Sequence, residues 1–149
     1  MKASNGLRNF MLDDASLKDA LDDGVVRIYA GTVPATADAA IGGATLLCEI
    51  TDNDQGLGAG QGVDFEANAV SGVLSKASAQ IWSGTNVATG TATFFRLETQ
   101  ADDGSSSTTY ERIQGTIATA GADLNLQSTS LVNTELQTID YFSVAIPTL

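Results

Sequence analysis

The order of apolar and polar positions divides the chain into a helical beginning and a strand-rich remainder. Leu17, Ala20 and Leu21 stand at i, i+3 and i+4, the spacing of one helical face. Asp13 or Asp14 can cap the start and suits the positive end of the helix dipole, while Gly24 stands where a left-handed residue would close it. The spacing predicts one short helix over 13–23, too short to hold alone in water. Ahead of it, residues 1–12 carry Leu7, Phe10, Met11 and Leu12, too apolar for a free tail. They read as an N-terminal arm that packs on a partner or on a second copy.

From Val25 the period changes. Val25–Ala30 concentrates β-branched and aromatic residues, and 45–51 alternates Leu46, Cys48 and Ile50 against Thr45, Leu47, Glu49 and Thr51. Further candidate strands follow at short intervals over 63–65, 69–74, 79–82, 91–98, 109–119, 123–126 and 138–146, the last ended by Pro147. Within 109–119, Ile113, Gly115 and Ile117 share one side, with Arg112, Gln114 and Thr116 on the other. Gly, Ser, Asn and Asp punctuate the intervals. Short strands without long helices between them predict a mainly all-β fold, an antiparallel β-sandwich or jelly roll with one short N-terminal helix. The organisation is a single domain over 1–149, with the sandwich occupying 25–146.

Charge and composition then remove function classes. The 149 residues include 18 acidic and 7 basic side chains, a net charge of −11, with no histidine and one cysteine. Such an acid excess disfavours nucleic acid and anionic membrane surfaces, which bind clustered Lys and Arg. Without histidine there is no Ser–His–Asp or Cys–His catalysis and no histidine-held metal. Cys48 cannot form an internal disulfide and reads as a small buried hydrophobe. No run approaches the ~18 apolar residues of a membrane span, and the opening residues lack the apolar stretch of a signal peptide. The expectation is a soluble, non-catalytic chain with no cofactor.

The remaining candidates are weak. Asp52 and Asp54, followed by Gly56, loosely resemble a calcium loop, since hard cations need several oxygens at one point. The later glutamate is missing, and self-bonded Asp turns explain the same residues. Glu49, Glu66, Glu98, Glu111 and Glu135 lie on different segments and form no glycosidase pair. The glycine run 56–62 lacks the Gly-Lys-Ser of a phosphate cradle and reads as an exposed, mobile loop that orders on a partner, with Leu57 as its contact. Trp82 reads as a core anchor, and Arg27 and Arg96 as mid-strand residues paired with nearby acids.

Several segments together resemble a known family. These are the capped acidic helix followed by Gly24-Val25-Val26-Arg27-Ile28-Tyr29-Ala30-Gly31-Thr32-Val33-Pro34, then Gly90-Thr91-Ala92-Thr93-Phe94-Phe95-Arg96-Leu97, Gly121–Leu131 and Ile139-Asp140-Tyr141-Phe142-Ser143-Val144. Over about Leu7 to Ile146 the chain resembles the small structural proteins of tailed bacteriophages and prophages. The resemblance implies a virion component without enzymatic activity, made in the bacterial host cytoplasm. It implies phage structural proteins as partners, the major capsid protein first, together with copies of itself. A capsid decoration, or cement, protein is the leading expectation, with Leu7, Phe10, Met11 and Leu57 as contacts. Alternatives are a tail, collar or baseplate protein, and a carbohydrate-binding or adhesion module. The last would need exposed aromatics, and one Trp, three Tyr and five Phe leave few once a core is filled.

Overall fold

Lys2–Ala3 (β1) opens the chain in the computed structural model, which describes residues 1–145. Two short helices follow, Asn5–Asp13 (α1) and Leu17–Leu21 (α2), then Val25–Ala30 (β2) and Thr45–Asp52 (β3). Val73–Ser75 (β4), Trp82–Thr85 (β5), Gly90–Thr91 (β6), Phe94–Glu98 (β7) and Arg112–Ala118 (β8) come next. Leu124–Asn125 (β9), Ser130–Leu131 (β10), Leu136–Ile139 (β11) and Ser143–Ala145 (β12) complete the set. The fold is mainly β and antiparallel, a sandwich with helices at its N-terminal end. One eight-stranded sheet runs β1-β8-β7-β2-β3-β5-β11, with β9 added in parallel to β8. Two ribbons, β6–β10 and β4–β12, stand apart from it.

Strand alternation sends two kinds of residue to the two faces of the large sheet. Ile50, Val26, Leu97 and Ile113 form one cross-strand row, and Cys48, Ile28, Phe95 and Gly115 form the next. This face carries the core, closed by Leu7 and Leu21 from the helices, Leu74 and Leu131 from the ribbons, and Trp82, Phe65 and Phe142. Trp82 is fully buried as anticipated, its ring 5.6 Å from Phe142 and 5.8 Å from Phe65. Cys48 is buried too. On the opposite face, Glu49, Arg27, Arg96 and Gln114 stand in one row across four strands.

Residues 1–12 are not an arm. Lys2–Ala3 pairs with β8, and Leu7 and Met11, four apart, follow helical spacing within α1. The Ser4 hydroxyl caps α1 by accepting from Leu7 N at 3.0 Å, and donates to the Tyr110 carbonyl at 2.7 Å. The expected helix over 13–23 shrinks to Leu17–Leu21, because Ser16, with Asp19 reaching back, makes a capping box where Asp13 or Asp14 was expected. Asp23, not Gly24, takes the left-handed conformation, at φ 55°. Gly24 is needed for another reason: a Cβ there would lie 2.6 Å from the Leu21 carbonyl oxygen.

Several strand boundaries also shift. Segment 63–65 supplies only isolated bridges, 69–74 becomes a tight turn whose last two residues open β4, and 79–82 becomes β5 from Trp82 onward. Segment 91–98 breaks at Ala92 and Thr93, whose amides donate to Thr129 and Tyr29 carbonyls. Segment 138–146 breaks over 140–142, and its expected end at Ile146 and Pro147 lies outside the described residues. In β3 the register skips Leu47, so Leu47 and Cys48 are both buried where alternation put them on opposite sides.

Candidate functional site

The polar row on the outer sheet face is a buried ionic lattice. Arg27 donates from Nε to Glu49 and from Nη1 to Glu98, both at 2.8 Å, and from Nη1 to the Asp102 carbonyl at 2.7 Å. Arg112 grips the Asp102 carboxylate with two nitrogens and reaches the Ala37 and Ser105 carbonyls. Gln114 donates to the Pro34 carbonyl at 2.8 Å. Side chains of β2, β7 and β8 are thereby tied to the backbone of two loops, 31–44 and 99–111. Burial, and then the Asp102 charge, push the Glu98 carboxyl above its ordinary value. Burial pulls the Arg27 guanidinium down, yet its bonds to Glu49 and Glu98 outweigh that and hold it above its ordinary value. Paired acids and bases locked this tightly support a shape rather than a proton transfer.

Arg96 departs from expectation. It sits in this row fully buried without a carboxylate partner, donating to Gln114 Oε1 at 3.0 and 3.1 Å and to the Ala39 carbonyl. Its Nη1 has no partner among the described residues. The acids on this face are already held by Arg27 and Arg112.

The predicted contact residues separate into three groups. Leu7 is fully buried in this chain's own core and is not available to a partner. Phe10 and Met11 are half-buried against the core, and Leu57 is exposed. The loop around Leu57 is pinned rather than loose. Asp23 accepts from Gly60 N at 3.0 Å and Gly62 N at 2.8 Å, while Gln100 accepts from Gly58 N at 2.7 Å and donates to the Asp23 and Gly58 carbonyls. Asp52 and Asp54 serve neighbouring loops: Asp52 accepts from Ile81 N, and Asp54 accepts from both the Thr85 amide and hydroxyl. Among the described residues no group of three or more acidic or cysteine side chains converges on one point.

Two recesses lie away from the ionic lattice. One, of about 430 Å³, is mostly apolar and runs between the helices and the 67–74 turn, lined by Met11, Leu17, Ala69, Leu74 and Val144. Its neighbours in sequence, Leu12 and Val70, are 83% and 72% exposed. The other, of about 440 Å³, is polar and lies between segments 123–131 and 135–143, with Asn86 in its lining. Sequence patterning missed this cleft, since distant Asn86 and two irregular segments close it together. The one available signal was Tyr141, polar-tipped and out of phase with Phe142. No helix among the described residues is long and apolar enough to cross a membrane. Comparison with protein-family models, curated proteins and solved structures finds no match.

Proposed function

We propose that this chain is a non-enzymatic structural component of a tailed-phage virion, acting as a capsid decoration protein that bridges and stabilises major capsid subunits. The observation that carries this reading is the apolar recess beside the helices, bordered by exposed Leu12 and Val70 on an otherwise strongly acidic chain. An exposed apolar area rimmed by polar groups is the usual mark of a docking surface. The resemblance of the strand and turn segments to phage structural proteins supplies the identity of the partner. Leu57, held out on a pinned loop, gives a second contact, and copies of the chain meeting on the particle would form a homo-oligomer. A tail, collar or baseplate position would use the same surface.

The chemistry of the side chains supports a role without catalysis. Burial pushes the Cys48 thiol up to about 12, so it is no nucleophile at neutral pH. Glu98, whose carboxyl is raised by burial, is sealed inside the ionic lattice with no route to a substrate. The test is cosedimentation of the purified protein with particles lacking it. The native chain should pellet with them, and the Leu12→Asp, Val70→Asp double variant should stay in the supernatant while melting at an unchanged temperature. Undiminished binding by that variant would overturn the proposed docking surface.

A further inference from the structure

We infer that the polar cleft binds a neutral, polyhydroxylated ligand, an oligosaccharide, with Tyr141 as its stacking platform. The cleft is a seam in the large sheet. Leu136–Ile139 forms one end of the strand order and β9 is attached near the other, yet both line the same space. The sheet therefore curls until its two ends face each other across about 440 Å³, within the range of roughly 300–1,000 Å³ that small-ligand sites occupy.

The lining selects the chemistry. It contains no lysine or arginine, which argues against an anion, and its amide, hydroxyl and carboxylate groups argue against a purely apolar guest. Asn86 is the decisive residue. It is buried and fixed on every other side: its amide donates to the Glu135 carbonyl at 2.9 Å, its carbonyl accepts from Thr134 N, and its Nδ2 donates to the Val132 carbonyl at 3.0 Å. Its Oδ1 has no donor among the described residues. Buried acceptors of this kind ordinarily have a donor, from protein, water or ligand. Glu135 and Asp140 add carboxylate acceptors to the same cleft, beside the amide and hydroxyl groups of Asn125, Gln127, Ser130 and Thr138. Sugar hydroxyls, which both donate and accept, match this mixture of groups.

Tyr141 completes the arrangement. Of the nine aromatic side chains it alone is exposed, at 73%, and it lies in the cleft lining. A ring with an apolar face and a polar tip suits the face of a sugar and its hydroxyls together. A divalent cation fits less well, because the third acid in the lining, Asp123, is already taken by the Met1 amine and the Thr116 amide.

The test uses the isolated protein, so its outcome is independent of where on a particle the chain sits. Cello-, malto-, chito- and mannotetraose are titrated separately while amide shifts are followed by NMR. At least one should move amides of 123–143 and Asn86, and Tyr141→Ala should weaken that binding about tenfold or more. Asp140→Asn provides a second variant on the surface, expected to weaken binding without changing the melting temperature. The inference fails if none of the four moves those amides at millimolar concentration. It fails equally if Tyr141→Ala binds as the native chain does, or if only calcium or tetralysine produces the shifts.

Discussion

Arg27 and Arg96 face each other as register partners across β2 and β7, yet only Arg27 meets carboxylates. Arg96 rests on the Gln114 amide and the Ala39 carbonyl, and burial followed by the nearby Arg112 charge lowers its hold on its proton. The two guanidinium groups share one sealed sheet face but play different parts. Arg27 and Arg112 bond Glu49, Glu98 and Asp102, whereas Arg96 brings the third positive charge without touching a carboxylate and reaches the covering loop through the Ala39 carbonyl.

That difference sets the first prediction. Arg112→Met leaves Asp102 and Glu98 as buried acids short of a partner and should cost about 3–5 kcal/mol in urea unfolding. Arg96→Met strands no carboxylate and should cost less, roughly 1–3 kcal/mol from the lost bonds to Gln114 and Ala39. Equal losses would mean that the charge balance described above is not what matters.

Gly115 provides a test of packing. An added Cβ would stand 2.5 Å from the Phe95 ring and 2.8 Å from Asp123 Cβ. Gly115→Ala should therefore destabilise by about 1–3 kcal/mol, as overpacked cores do. A thermal melt unchanged from the native chain would show that the ring has room to move.

The glycine loop should behave as a clasp. With Asp23→Ala, the Gly60 and Gly62 amides lose their acceptor, and their hydrogen exchange should speed up about tenfold or more. Gln100→Ala should do the same to Gly58. Fast exchange of all three amides already in the native chain would contradict a pinned loop.

Acid stability draws on carboxyls held below their ordinary values, Asp19 and Glu66 among them, and is opposed by buried Glu98. Hydrogen bonds from Ser16 and Ser78 hold Asp19 and Glu66 below their ordinary values of 3.8 and 4.5. The folded chain binds these protons less readily than the unfolded chain, so their stabilisation is present above pH 4.5 and is lost as pH falls through the lowered values. Glu98, raised by burial, has the opposite sign: its charged form opposes folding, and acid relieves that. The Asp19→Asn, Glu66→Gln variant should show a flatter fall in stability below pH 4.5 than the native chain. An unchanged slope would assign the acid response to other groups.

Much of the fold was legible in the sequence where alternation was regular. Val25–Ala30 follows from its β-branched and aromatic composition and the two faces of β8 from period two, and Trp82 and Cys48 are buried as their surroundings implied. Helix α1 was obscured because Leu7 and Met11 are few, and an apolar arm explains them equally well until the Ser4 cap is seen. The glycine loop looked mobile since its anchors, Asp23 and Gln100, lie 37–42 residues away. Two mid-strand Arg residues cannot be told apart by pattern alone. Arg27 and Arg96 both sit mid-strand, and only the register decides which one meets the acids. The polar cleft was hidden for the same reason: Asn86, Asn125 and Tyr141 become neighbours only when the sheet curls.

The most direct test of the proposed structural role is a density map of tailed-phage particles assembled with this chain. The account predicts many symmetric copies of a β-sandwich on the capsid surface, each seated through the helices and the 67–74 turn over a joint between major capsid subunits. Particles whose capsid, collar and tail are all accounted for without this chain would contradict it.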